Sequence, residues 1–208
     1  MIDFTADPAL PFGRLRWLSY NKIYVDPPWA YATRSEKGQE RSASKHYGTM
    51  TLEQMKATPV LDLASPLGCL LAMWVTDTHI DQSFELIRWW GFDFKTVGFV
   101  WIKTNPLDEA RIAEIEAAMQ AQDLDLIVKL LTYLGMGHYT RANPEICIFA
   151  THGAPSRLEG GGGVRQVIFA ERREHSRKPD GVRGVELFSR LGDQDGWDAA
   201  GLEAGMFS

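Results

Sequence analysis

Two consecutive prolines, Pro27 and Pro28, stand directly behind the apolar run Ile23-Tyr24-Val25 and between Asp26 and Trp29. Proline has a fixed φ and no N–H, and it biases the residue before it away from the helical region, so regular pairing has to stop here. Asp26-Pro27-Pro28-Trp29 then holds a carboxylate, two carbonyls and an aromatic ring in one rigid arrangement at a strand's C-terminal end. A turn with no chemistry would use the same prolines.

Strand-like and helical runs alternate behind this point, which predicts an α/β fold with largely buried strands. Gly68 to Val75, Val97 to Ile102, Glu145 to Ala150 and Gln166 to Ala170 read as strands. Thr51 to Met55 opens a helix capped by Thr51 or Thr49, and Asp77 to Trp90 places Ile80, Phe84, Ile87 and Trp90 on one helical face. The polar segment Ala30 to Gly48, rich in Ser, Lys and Arg, reads as a mobile active-site loop. A helical insertion spans about 105–136, where Ile112, Ile115 and Met119, then Leu124, Ile127, Leu131 and Leu134, fall at helical spacings with Asp123 as a break or cap. Such an amphipathic excursion packs on the domain's own core, on a partner subunit or beside a substrate cleft. Gly160 to Gly163 lack a strand-to-helix context and read as a surface loop, not a phosphate cradle.

With 208 residues, 45% hydrophobic and 24% charged, the chain suits a single soluble domain over 1–208. No apolar run reaches the ~18 residues of a membrane span, and Met1-Ile2-Asp3-Phe4 lacks the pattern of a signal peptide, so a cytoplasmic location is expected. Cys69 and Cys147 lie among apolar neighbours and read as buried thiols rather than a disulfide. The five histidines show no metal-ligand spacing, and no metal is expected. A net charge of −5 is awkward for a nucleic-acid partner, although basic residues gather in Arg34 to Lys45 and Arg165 to Arg183. Those residues are equally consistent with a basic rim around a cleft and with solvated loop charges.

The residue types of Asp26 to Trp29 suit chemistry on an exocyclic amine such as adenine N6. That nitrogen is a poor nucleophile because its lone pair is delocalised into the ring. Acceptors on both amino protons favour the tetrahedral geometry that methylation requires. The Asp26 carboxylate and the Pro27 carbonyl are suitable acceptors, acting by position and electrostatics because a carboxylate near pKa ~4 is a weak base. Trp29 offers a flat surface on which a base could stack.

Further segments follow in order: His46-Tyr47-Gly48-Thr49-Met50, Leu71 to Thr76, Trp90-Gly91-Phe92, Phe99 to Thr104, Gly135 to Glu145, Glu174 to Asp180, Glu186 to Arg190 and Gly196-Trp197-Asp198. Together with Asp26 to Trp29 they closely resemble the DPPW family of N6-adenine methyltransferases. This MT-A group includes bacterial and phage DNA enzymes and the catalytic subunit of the eukaryotic messenger-RNA adenosine methyltransferase. The similarity covers nearly everything after Ile23.

The resemblance implies a Rossmann-like S-adenosylmethionine-dependent methyltransferase fold in permuted motif order, with a central, mostly parallel sheet flanked by helices. It implies nucleic acid as the substrate; the compact single-domain layout, with no appended RNA-binding module, favours DNA over RNA by analogy, and the lack of a long apolar run leaves no membrane partner expected. By position, Asp26 would lie between the cofactor's amino group and the target amine, with Pro27, Pro28 and Trp29 completing the base site and Tyr47 closing over the base. Lys103 and Glu145 match positions near the acceptor nucleotide. Lys178 matches a lysine at the cofactor carboxylate, and Arg190 one near the ribose; Glu203 is placed to accept from the ribose hydroxyls. The insertion replaces a shorter family loop that helps form a subunit interface in the eukaryotic enzyme, which suggests a homodimer or partner subunit docked through 105–136.

Plain alternatives stand beside these roles. Lys103 and Glu145 could form a surface ion pair worth ~0–1 kcal/mol, and Tyr47 could be a turn aromatic. Trp74 and Trp101 read as core. Lys178-Pro179-Asp180 could open a helix. The chain also departs from the family where only Asp180 to Val185 separate Pro179 from Glu186, and where Leu202 replaces the usual asparagine. These departures leave a catalytically silent nucleic-acid-binding or partner subunit as the alternative.

Overall fold

The computed structural model describes residues 15–30, 49–137, 139–155, 164–172 and 178–179. Among them, five strands form one sheet: β1 (Lys22–Val25), β2 (Gly68–Val75), β3 (Asp93–Thr104), β4 (Pro144–Gly153) and β5 (Val167–Glu171), in spatial order β1-β2-β4-β3-β5. β1 runs parallel to β2 and β3 parallel to β5, while β4 is antiparallel to both of its neighbours. Four strands therefore point one way and β4 alone is reversed. The mostly parallel α/β sheet expected from the sequence is present, with one inverted central strand. No described helix is long and apolar enough to cross a membrane.

The near-continuous apolar strands follow from burial on both faces. Leu71, Met73 and Val75 of β2 join Ile23, Val25, Ile148 and Ala150 beneath α1 (Leu52–Lys56) and α2 (Ile80–Trp89). Ala72 and Trp74, pointing the other way along β2, join Phe99, Trp101 and Cys147. Both cysteines are free and buried, as expected.

Local chemistry explains the element ends. Thr51 and Gln54 form a reciprocal capping box at the start of α1, so Thr51 is the cap rather than Thr49. Gly91, at φ +76°, ends α2, where a β-carbon would meet the Leu61 side chain at 2.9 Å. β3 is longer than its apolar centre suggests. It carries register shifts around Thr96 and Gly98, and the Phe149 ring fills the space where a Gly98 side chain would stand.

Residues 105–136 contain two helices, α3 (Glu109–Gln120) and α4 (Leu124–Leu131), where the sequence has helical spacings. Asp108 caps α3 by accepting from the Arg111 N–H, and Asp123 caps α4 by accepting from the Leu126 N–H. The pair does not cover the core. Ala118 is its one buried helical residue, and Met119, Leu124 and Val128 are exposed. Its base is closed by a bridge between Thr104 and Thr132 and by the Asn105 side chain, which donates to the Leu130 and Thr132 carbonyls.

Candidate active site

In an open α/β sheet, chemistry gathers at the carboxyl ends of the strands. Asp26 follows the last residue of β1, and Lys103 is the penultimate residue of β3. Glu145 is the second residue of β4, opposite Trp101, and the reversal of β4 brings it to the same edge. These residues are far apart in sequence but share one rim.

Lys178 joins them. Its Nζ lies 2.8 Å from Asp26 Oδ2 and 2.9 Å from Glu145 Oε2, while Lys103 Nζ lies 2.6 Å from Glu145 Oε1. The order Lys103, Glu145, Lys178, Asp26 alternates in sign and sums to zero. The contact of Lys178 with Glu145 Oε2 is an ion pair without well-directed hydrogen-bond geometry. Glu145 and Lys178 are buried, so the Lys103–Glu145 pair is not the surface pair that its sequence also allowed. The Asp26 side chain, 20% exposed, reaches the rim.

Burial opposes the charge on Lys178, but Asp26 and Glu145 outweigh it and hold its pKa above the ordinary lysine value. Burial likewise opposes the Glu145 carboxylate, and Lys178 and Lys103 outweigh it, keeping the group below the ordinary range. Both groups are charged at neutral pH. Burial also raises the Tyr24 phenol, with Cys147 and Asp26 adding to the rise.

Aromatic rings support this row from below. The Trp74 ring lies 5.6 Å from Lys178 Nζ, and its indole N–H donates to the Tyr24 hydroxyl at 2.6 Å. The Trp101 ring lies 5.3 Å from Lys103 Nζ. Both tryptophans are buried, as core residues should be, and each also faces a site cation.

The proline segment is held as a tight loop. The Trp29 N–H donates to the Pro27 carbonyl at 2.9 Å, closing a turn about Pro28, and the Met50 N–H donates to the Pro28 carbonyl at 2.9 Å. A carbonyl has two acceptor positions, so the Pro27 oxygen retains one. Trp29 departs from expectation. It is 3% exposed, its ring stacks on His79 and its indole N–H donates to the Trp74 carbonyl at 3.3 Å, so it anchors the loop to the core instead of presenting an open face.

The structure thus brings together Asp26, Pro27, Pro28, Trp29, Lys103, Glu145 and Lys178. Tyr47, Arg190 and Glu203 lie outside the described residues, as do the polar loop at 31–48, Gly160 to Gly163, the 180–185 departure and Leu202. Sequence reasoning assigned no role to His79 or Tyr24. The signal for His79 was its place in Thr76-Asp77-Thr78-His79, directly behind the end of β2.

A family model described as MT-A70 matches residues 20–203. Among curated proteins the chain is 29% identical to a type II methyltransferase, M.MunI, from Mycoplasma sp, over 92% of this chain and 81% of that protein. It is 26% identical to an N(6)-adenosine-methyltransferase MT-A70-like protein of Drosophila melanogaster and 25% identical to the N(6)-adenosine-methyltransferase catalytic subunit METTL3 of Homo sapiens. Each of these two alignments covers 81% of this chain but only 24% and 25% of the longer relative. The family match begins just before β1 and runs past Lys178, taking in every residue of the charged rim, and the chain therefore belongs to the MT-A70 family of methyltransferases.

Proposed function

We propose that this protein transfers a methyl group from S-adenosylmethionine to the N6 amine of adenine in nucleic acid, and that the nucleic acid is DNA. The observation that carries the reading is the rim-exposed Asp26 carboxylate, backed by Lys178 and followed by two prolines. The preference for DNA rests on the type II methyltransferase, which the chain matches over most of that relative's length.

The donor set suits the cofactor. Its amino-acid end carries one ammonium and one carboxylate, and Asp26 and Lys178 offer the opposite charges 2.8 Å apart. When bound, it supplies an electrophilic methyl group on a sulfonium. Asp26 and the free acceptor position of the Pro27 carbonyl take the two amino protons in hydrogen bonds, which directs the nitrogen lone pair toward attack. The proton left over passes to Asp26 or solvent. Lys103 and Glu145 flank the acceptor nucleotide, Tyr47 closes over the base, and Arg190 and Glu203 hold the ribose.

We further read 1–208 as one domain whose exposed α3–α4 pair docks a second copy or a partner subunit. The test of the activity is incubation with labelled cofactor and adenine-containing DNA, followed by digestion to nucleosides. N6-methyl-2′-deoxyadenosine products that vanish with Asp26→Ala support the proposal. N4-methyl-2′-deoxycytidine products would reassign the base, and absence of cofactor binding would favour a silent subunit.

A further inference from the structure

His79 is 7% exposed and lies at the start of α2, outside the charged row. Its Nε2 is 3.1 Å from the Ala30 carbonyl oxygen, and its Nδ1 is 2.8 Å from Thr76 Oγ1 and 3.0 Å from Thr78 Oγ1. A carbonyl only accepts, so Nε2 carries a proton and donates to it, while Nδ1 lies within hydrogen-bond reach of both threonine hydroxyls. The ring is also stacked on Trp29, with centroids 5.2 Å apart and planes 24° apart. One side chain therefore grips the proline loop twice, through the ring of Trp29 and through the carbonyl of the residue after it. It ties both to the turn that follows β2.

Other apolar residues could fill this space. A phenylalanine would keep the stacking and the burial, but it would leave the Ala30 carbonyl without this donor. The choice of imidazole makes sense when the position of the loop, and not only its packing, is what has to be maintained. Pro27 and Pro28 stiffen the loop internally, yet stiffness does not aim it. Its direction is set by its fastenings at the two ends: β1 on one side, and Met50, His79 and the Trp74 carbonyl on the other.

We propose that His79 is a positioning residue for methyl transfer, holding Trp29 and Ala30 so that Asp26 and the Pro27 carbonyl meet the acceptor amine together. The proposal rests on the methyltransferase reading above. It deepens that reading by assigning the loop's aim to a histidine outside the charged row. A displacement near 1 Å at a reacting group costs about a hundredfold in rate, so small slippage has a large effect.

The test compares His79→Phe and His79→Gln with the unaltered protein, using kcat, cofactor Kd by calorimetry, Tm, and hydrogen exchange at the Met50 amide and the Trp29 indole. Gln carries a terminal N–H that reaches toward Ala30; Phe does not. His79→Phe is expected to lower kcat about tenfold to a hundredfold, with cofactor Kd within about twofold and Tm nearly unchanged, while His79→Gln restores most of the loss. Exchange at Met50 and Trp29 should speed up about tenfold in His79→Phe and recover in His79→Gln. Full kcat in His79→Phe overturns the proposal. So does a parallel loss of Tm, Kd and kcat in both variants, which marks a purely structural role, and so does unchanged exchange. If the unaltered protein transfers no methyl group while exchange still responds to His79→Phe, the methyltransferase reading fails and the loop fastening stands.

Discussion

Lys178 and Asp26 meet at 2.8 Å with unequal exposure: the lysine side chain is 4% exposed and the aspartate side chain 20%. Within this pair the carboxylate is therefore the more exposed partner and the ammonium the more buried one. Because Lys178 also contacts Glu145, altering Asp26 does not leave the ammonium without a counter-charge.

Asp26→Asn should therefore fold while losing methyl transfer. Removing the charge at the reacting amine is expected to lower the single-turnover rate by about 10²–10³-fold. Circular dichroism and Tm measured on the same preparation separate this from unfolding. A rate within tenfold of the unaltered protein would place the chemistry elsewhere.

The buried charges give stability a defined pH dependence. Glu145 has a depressed folded pKa, so its contribution is present above its unfolded value near ~4.3 and is lost as pH falls through the folded value. Lys178 has a raised folded pKa, so its contribution is complete below its unfolded value near ~10.4 and is lost as pH rises through the folded value. Urea unfolding across pH should show a plateau bounded on both sides. Glu145→Gln should flatten the acid limb, and an unchanged acid limb would count against the assignment.

The two thiols should be silent in the native protein. Cys69 and Cys147 are buried, burial pushes the Cys69 thiol up to about 12, and burial and then Asp26 raise that of Cys147. A thiolate-directed reagent near pH 8 should label neither until denaturant is added, as read by mass spectrometry. Rapid native labelling of either would show that its strand opens.

Gly98→Ala should be costly for one methyl group. The new β-carbon would meet the Phe149 ring at 2.2 Å, and that ring is set edge-on against Phe99 at 5.3 Å. A loss of about 1–3 kcal/mol is expected in chemical denaturation.

Substitutions on the inserted helices should behave in the opposite way. Leu124 is 73% exposed and Val128 57%, so Leu124→Glu with Val128→Glu should leave unfolding free energy within about 0.5 kcal/mol per site. If the pair docks a second copy or shapes target recognition, sedimentation or DNA affinity will change. If neither changes, the docking proposal fails.

Much of the framework could be read before any coordinates. β2 has the boundaries its apolar run implies, and Asp123 divides the insertion by capping α4. Asp26 and Lys178, 152 positions apart, stand in two of the segments that carry the family resemblance, and they lie side by side. What the sequence misplaced or left open shares a physical origin. Local patterns do not reveal which face of a ring is occupied, so Trp29 read as an open platform when it is stacked on His79. Nor does periodicity state what an amphipathic helix packs against, and α3 and α4 do not lie on the core. The part played by His79 depends on Thr76, Thr78 and Ala30 converging on one ring, which no linear spacing records.

The reversed strand has an evolutionary consequence. β3 leads up to the rim pair and β4 leads away from it, with Trp101 opposite Glu145, so everything between Lys103 and Glu145 is a detour whose two ends are already joined. The Tyr133 N–H and the Asn143 side chain both donate to the Lys103 carbonyl, closing that junction beneath the helices. The detour can then be lengthened, shortened or exchanged as a cassette while the two charges keep their separation. The segment between Thr104 and Pro144 can therefore vary without moving the Lys103–Glu145 pair.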